Sequence, residues 1–265
     1  MNLKKAGYQE PLPLKAKRKM QILKLLLWVA AVLFLLQIGC SAVQRKLLFY
    51  PTHHENRTAL IPWEVEGQVI GYARPAQAPE NVWLMLHGNG GQASDRAYAL
   101  PCFSSKDAVF IMEYPGYGAR RGKPSRDSFD AAALVAYRTL REKFPATPVC
   151  VVGESIGTGP ASMLSGATPP PSKIVLIVPY DNLKSVACDH FPYALVSLIL
   201  RTSWDNVAAL RNYKGPIELF GAVDDDIIPV SHAKRLADSL PSAVFHQIDG
   251  GHNEWSTPGR VQIKN

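Results

Sequence analysis

The sequence predicts an α/β fold: a mostly parallel central sheet flanked by helices, with a small helical cap. Three observations carry this expectation. From residue 68 onward, short apolar runs alternate with helical patterns, the signature of βαβ units. Several runs, Val149-Cys150-Val151-Val152 among them, are continuously apolar, as strands covered on both faces require. The stretch 182–213 is helical in pattern, lies between two strands and is too long for a plain crossover, which marks it as the cap.

The elements follow in order. Strands are expected at 68–72, 81–86, 108–113, 149–153, 173–178, 217–220 and 244–248. Helices are expected at 93–100, 128–143, 156–164, 231–240 and 258–262. No repeat or low-complexity tract interrupts them, and Thr168-Pro169-Pro170-Pro171 reads as a stiff loop. A chain of 265 residues with 47% hydrophobic content can bury one good-sized core, so a tail plus one domain is expected.

The tail has two parts. Residues 1–24 are a basic segment, and 25–44 carry no charge. As a helix those twenty residues would span roughly 30 Å at about 1.5 Å each, close to the thickness of a bilayer core. The densest part, 25–36, also suits a signal-peptide core. A buried helix of a soluble domain is the competing reading, but a lone apolar stretch outside the domain has nothing to pack on. Basic residues precede the segment, which keeps the N-terminus in the cytoplasm and sends the domain at 45–265 across, to the periplasmic or extracytoplasmic side. Leu36-Gln37-Ile38-Gly39-Cys40 resembles a bacterial lipobox, with Gln37 where Leu is expected, so signal anchor and lipidated Cys40 both stay open.

Charge excludes one class of partner. Residues 1–46 hold nine Lys/Arg against Glu10, so of the net +7 that stretch carries +8 and the remainder −1. A near-neutral domain has no footprint for a phosphate backbone, and nucleic-acid binding is not expected. The cysteines, Cys40, Cys102, Cys150 and Cys188, show no metal-ligand spacing and no disulfide framework. Cys150 reads as a buried inert thiol, whereas Cys102 and Cys188 are a candidate pair in an oxidising compartment. His53 and His54, adjacent in the membrane-proximal stretch, read as solvated loop residues.

Three segments carry chemistry. Gly153-Glu154-Ser155-Ile156-Gly157 follows an apolar strand and opens a helical stretch. A serine nucleophile must stand exposed on such a tight turn, and flanking glycines let the turn form without clashes. The pattern alone is weak; its place between strand and helix strengthens it. His87-Gly88-Asn89-Gly90-Gly91 caps an earlier strand, where backbone N–H groups can hold an oxyanion. The donors are assigned to the Asn89 and Ile156 amides. A phosphate-cradling loop is excluded because no Gly-Lys-Ser/Thr follows. His252, in the turn after the last strand, is the candidate base, whereas His190 falls in the cap, His232 opens a helix and His246 lies in a strand. The acid comes from Asp224-Asp225-Asp226. Counting from Gly221 favours Asp224 and counting from Pro229 favours Asp225; Asp225 is preferred because Ile227-Ile228-Pro229 constrains the backbone beside it. Three adjacent acids have no specific metal geometry, and neither a metal nor a cofactor is expected.

Together with Glu113-Tyr114-Pro115-Gly116-Tyr117-Gly118 and Gly122-Lys123-Pro124-Ser125, these motifs resemble the small, membrane-associated branch of the α/β-hydrolase domain family from about residue 45 onward. The resemblance implies an eight-stranded, mostly parallel sheet with Ser155 at the nucleophile elbow. It implies esterase, thioesterase or related acyl-hydrolase activity without a cofactor, on a small-molecule or lipid-like acyl ester. One extra residue between Gly221 and Pro229 departs from the family pattern. Pro115-Gly116-Tyr117-Gly118 reads as a structural turn. An amide or peptide hydrolase and a non-catalytic binding protein of the same fold are the alternative readings. Finally, the apolar run at 191–200 suggests either an acyl-binding groove facing the membrane or a helix packed on the sheet.

Overall fold

The computed structural model describes residues 20, 23–29, 39, 43–200 and 203–265. Most of the apolar segment 25–44, including Cys40, therefore lies outside the described residues, and among those described no helix is long and apolar enough to cross a membrane. The strands are β1 (Tyr50–Pro51), β2 (Ile61–Val65), β3 (Gln68–Arg74), β4 (Val82–Leu86), β5 (Gly90–Gly91), β6 (Ala108–Met112), β7 (Val149–Glu154), β8 (Ile174–Ile177), β9 (Ile217–Ala222) and β10 (Ala243–Ile248). Eight of them form one sheet in the order β10-β9-β8-β7-β4-β6-β3-β2. It is parallel from β10 to β6, while β3 runs antiparallel to β6 and β2 antiparallel to β3. All seven expected strands form. The eighth, β2, was not legible because Pro62 interrupts it, and an edge strand is where a sheet tolerates proline.

The helices are α1 (Arg126–Lys143), α2 (Thr158–Met163), α3 (Leu183–His190), α4 (Tyr193–Ile199), α5 (Asn206–Leu210) and α6 (Val230–Asp238), with a 3-10 helix over Ala93–Cys102. α1 begins where Ser125 accepts a hydrogen bond from the Ser128 amide, and it buries Phe129, Ala132, Ala133, Ala136, Tyr137 and Leu140, a stripe at helical spacing. Side chains of β4 alternate between two cores: Val82, Leu84 and Leu86 face α1, and Trp83 and Met85 face the 3-10 helix and the C-terminal segment. This double cover is why the inner strands read as unbroken apolar runs.

Two expectations are corrected. No helix forms at 258–262; Gly259 takes a left-handed φ of +87°, the chain turns with the Arg260 amide on the Thr257 carbonyl, and Val261 and Ile263 fold back into the second core. Cys102 and Cys188 are not paired: Cys102, Cys150 and Cys188 are all free, and burial pushes the Cys102 thiol up to about 11 and the Cys150 thiol to about 12. The stretch 182–213 also divides. α3 and residues of α4 border cavities beside the site, whereas α5 packs on α2, with Trp204, Leu210 and Tyr213 sunk in the first core.

An ionic cluster pins α3 to α6. The ring nitrogens of buried His232 lie 2.6 Å from Asp181 and 2.7 Å from Asp189, and Arg235 donates to Asp181 at 2.7 Å. Partial burial pushes the Asp181 carboxyl up, but hydrogen bonds from His232 and Arg235 more than reverse this and hold it at about 2, against an ordinary 3.8. A depressed carboxylate stabilises the fold above its unfolded pKa and loses that contribution as pH falls through the folded one. Stability in urea should thus decline between about pH 4 and pH 2, and Asp181→Asn should decline less over that window. Equal acid sensitivity of the two proteins would show that the cluster contributes nothing.

Candidate active site

The loops following β4, β7, β9 and β10 all leave the C-terminal edge of the sheet, and they converge on a cavity of about 570 Å³. It is lined by Asn89, Ser155, Ile156, Ile228 and His252, among others. The β7 turn shows why its glycines are required. Ser155 stands at φ +53°, a conformation that costs a non-glycine residue of order 1–3 kcal/mol. A Cβ on Gly153 would lie 2.7 Å from the Gly157 carbonyl, and one on Gly157 would collide with the carbonyls of Leu86 and His87. The turn therefore presses against the end of β4, which sets Ser155 beside the loop holding Asn89.

A chain of three side chains crosses the cavity floor. Ser155 Oγ lies 2.9 Å from His252 Nε2, and His252 Nδ1 lies 2.7 Å from Asp225 Oδ2. All three residues are buried. The other Asp225 oxygen accepts from the amides of Ile227 at 2.9 Å and Ile228 at 2.7 Å, so the carboxylate cannot rotate away. Asp224 is exposed, and its amide instead donates to the Gly250 carbonyl at 3.1 Å, tying the acid loop to the histidine loop. The extra residue in this loop is thus accommodated with Asp225, not Asp224, toward His252. In this arrangement the imidazole can take a proton from the hydroxyl while the carboxylate holds its tautomer. Among the described residues no group of three or more His, Cys, Asp or Glu side chains could hold a metal ion.

Three neighbours were not legible as site residues. Glu154, fully buried, accepts from the Gly88 amide at 2.9 Å, from Trp255 Nε1 at 3.1 Å and from the Tyr98 hydroxyl at 3.1 Å. Burial pushes its carboxyl up, but the Arg96 charge and the Gly88 and Trp255 hydrogen bonds outweigh this and leave it below the usual range. Arg96 lines the cavity and donates to the Gly90 carbonyl; burial lowers its pKa, and Glu154, Tyr98 and Asp95 together more than restore it. Tyr117, in the turn read as structural, donates to the Asn89 carbonyl at 2.9 Å and so steadies the same loop. Glu154 and Tyr117 each stood inside a quoted motif, but neither position shows in the sequence what its side chain would touch, and Arg96 had no signal at all. His53 and His54 are exposed as expected, though each is hydrogen bonded, to the Gly118 carbonyl and to Asp95.

Removing the Glu154 carboxylate leaves the buried Gly88 amide and Trp255 indole N–H without their acceptor. Glu154→Ala should therefore cost about 2–6 kcal/mol in urea unfolding, at about 1–3 kcal/mol for each orphaned buried donor. A loss under about 1 kcal/mol would show that Glu154 does not hold the loops together.

Residues 83–261 match the Alpha/beta hydrolase family. An uncharacterized protein of Mycobacterium tuberculosis is 28% identical over 186 residues, covering 68% of this chain and 66% of that protein. The lysophosphatidylserine lipase of Danio rerio is 27% identical over 188 residues, covering 63% of this chain and 49% of the lipase. This chain thus spans about half to two thirds of the length of these curated relatives. A crystal structure of a Thermus thermophilus protein superposes with a TM-score of 0.60 at 18% identity, covering 77% of this chain and 94% of that one, a likeness of fold. The family match takes in every segment that lines the cavity from β4 to His252, and the chain belongs to the Alpha/beta hydrolase family.

Proposed function

We propose that the protein is a serine hydrolase that cleaves carboxylic ester or thioester bonds through an acyl-enzyme on Ser155. The observation carrying this is the continuous hydrogen-bonded path from Ser155 Oγ through His252 to Asp225, placed on a strained turn in a cavity open to solvent. His252 removes the Ser155 proton as Oγ attacks the acyl carbonyl. The Asn89 and Ile156 amides hold the oxyanion, and both residues line the cavity beside Ser155. His252 then gives its proton to the leaving alcohol or thiol. Water, activated by the same imidazole, releases the acid and restores the serine. Kinship with a lysophosphatidylserine lipase favours an acyl ester, small or lipid-like, as substrate.

Ser155→Ala should abolish fluorophosphonate labelling and lower kcat on a p-nitrophenyl ester at least about a thousandfold. Asp225→Asn should lower kcat by about a thousandfold or more, because the wrong tautomer is then held, whereas Asp224→Asn should stay within about twofold. Ester turnover that survives Ser155→Ala would refute the mechanism.

The proposal extends to where the enzyme works. The uncharged segment 25–44, preceded by basic residues, tethers the domain to a membrane and places it on the non-cytoplasmic face. The full chain should stay with membranes washed in alkaline carbonate, and deletion of residues 1–44 should release an active domain. Release of the full chain by carbonate would rule out a transmembrane or lipid anchor.

A further inference from the structure

The cavity at Ser155 adjoins a second one of about 160 Å³, and Leu47, Leu48, Ala187 and Phe191 line both. The rest of its wall is mainly α4, through Leu195, Val196 and Ile199. Among the described residues no ionisable side chain lines it. Gln44 is the one polar side chain in this described lining, so an alkyl chain would gain from burial along most of it, whereas a charged group would lose its water with little to replace it. Leu47, Phe191 and Leu195 are each about half exposed, so the apolar surface is open along its length.

One wall of this groove comes from an unusual place. Leu47 and Leu48 belong to the helical turn at 43–48, which begins at the end of the apolar segment 25–44 and runs beyond it. The chain then pairs β1 with β5 in the glycine loop, Tyr50 with Gly90 and Pro51 with Gly91. The Thr52 carbonyl accepts from the Gly118 amide at 2.9 Å, which fastens the same strand to the turn holding Tyr117. The linker is therefore stitched to the site, and its leucines are held over the cavity.

We propose that this groove is the acyl-chain subsite. The chain of an ester whose carbonyl sits at Ser155 runs between the 43–48 turn and α4, so the segment leading out of the tether forms part of the specificity pocket. The substrates are accordingly esters of medium- and long-chain acids. This rests on Ser155 being the nucleophile, and it adds that chain length is read by residues outside the catalytic cavity. Each methylene taken into the groove should multiply kcat/KM about fourfold.

The test compares p-nitrophenyl butanoate with the dodecanoate on the full chain in lipid nanodiscs. Wild type should favour the dodecanoate in kcat/KM by at least about tenfold. Leu195→Trp, at a half-exposed position that accepts a larger side chain, should lower the dodecanoate-to-butanoate ratio at least about tenfold, and Ile199→Trp should do the same. Leu198→Trp, on the same helix but outside the groove, should keep the wild-type ratio. Ser155-dependent turnover with a wild-type ratio near one, or with both groove variants matching wild type, would overturn the subsite alone. Absence of both fluorophosphonate labelling and butanoate turnover would instead overturn the hydrolase reading beneath it.

Discussion

Much of the site depends on one close approach, that of the β7 turn to the end of β4. Two glycines permit it: a side chain on Gly157 would strike the Leu86 and His87 carbonyls, and one on Gly153 would strike the turn itself. Because the backbone can come this near, Ser155 is forced to a left-handed φ and its hydroxyl is carried away from the sheet, toward His252. The strain is tolerated because rigid neighbours on both sides leave the turn no other course. β4 is paired with β7 along its whole length, from Val82 with Val149 to Leu86 with Gly153.

Around that turn the structure spends a buried carboxylate on positioning. Glu154 takes hydrogen bonds from the glycine loop, from the indole three residues past His252 and from the 3-10 helix. One side chain thereby connects three of the segments that meet at the cavity. The burial cost of its charge is offset by Arg96, which in turn holds the Gly90 carbonyl. The segment at 43–52 joins the same assembly through β1 and β5. That segment, the glycine loop and the serine turn thus form one mechanically continuous unit.

Legibility followed the range of the interactions. Inner strands announced themselves because both faces are buried, so each became an apolar run visible in any short window. The serine turn was visible because its steric demand falls on Gly153 and Gly157, within two residues of Ser155. β2 was hidden by Pro62, which only its edge position makes tolerable. The expected helix at 258–262 failed because Val261 and Ile263 are drawn into the second core, a demand set by distant residues such as Trp83 and Phe103. Asp224 and Asp225 could not be separated by counting along the chain, since spacing does not tell which one the loop turns inward.

By itself the sequence determined the α/β class, the order of the strands along the chain, and the three segments bearing Ser155, the acid and His252. Each of these is written in local periodicity or in backbone requirements met by neighbouring residues. Tertiary structure alone decided that Asp225 meets His252, because the Ile227 and Ile228 amides and the Asp224–Gly250 hydrogen bond fix that loop only once β9 lies beside β10. It alone decided that Glu154, Arg96 and Tyr117 brace the site, and that Leu47 and Leu48 overhang it. Apart from Arg96 to Gly90, six positions apart, those hydrogen bonds join residues about 30 to 100 positions apart, and such proximity exists only after the sheet has brought the strand ends to a common edge.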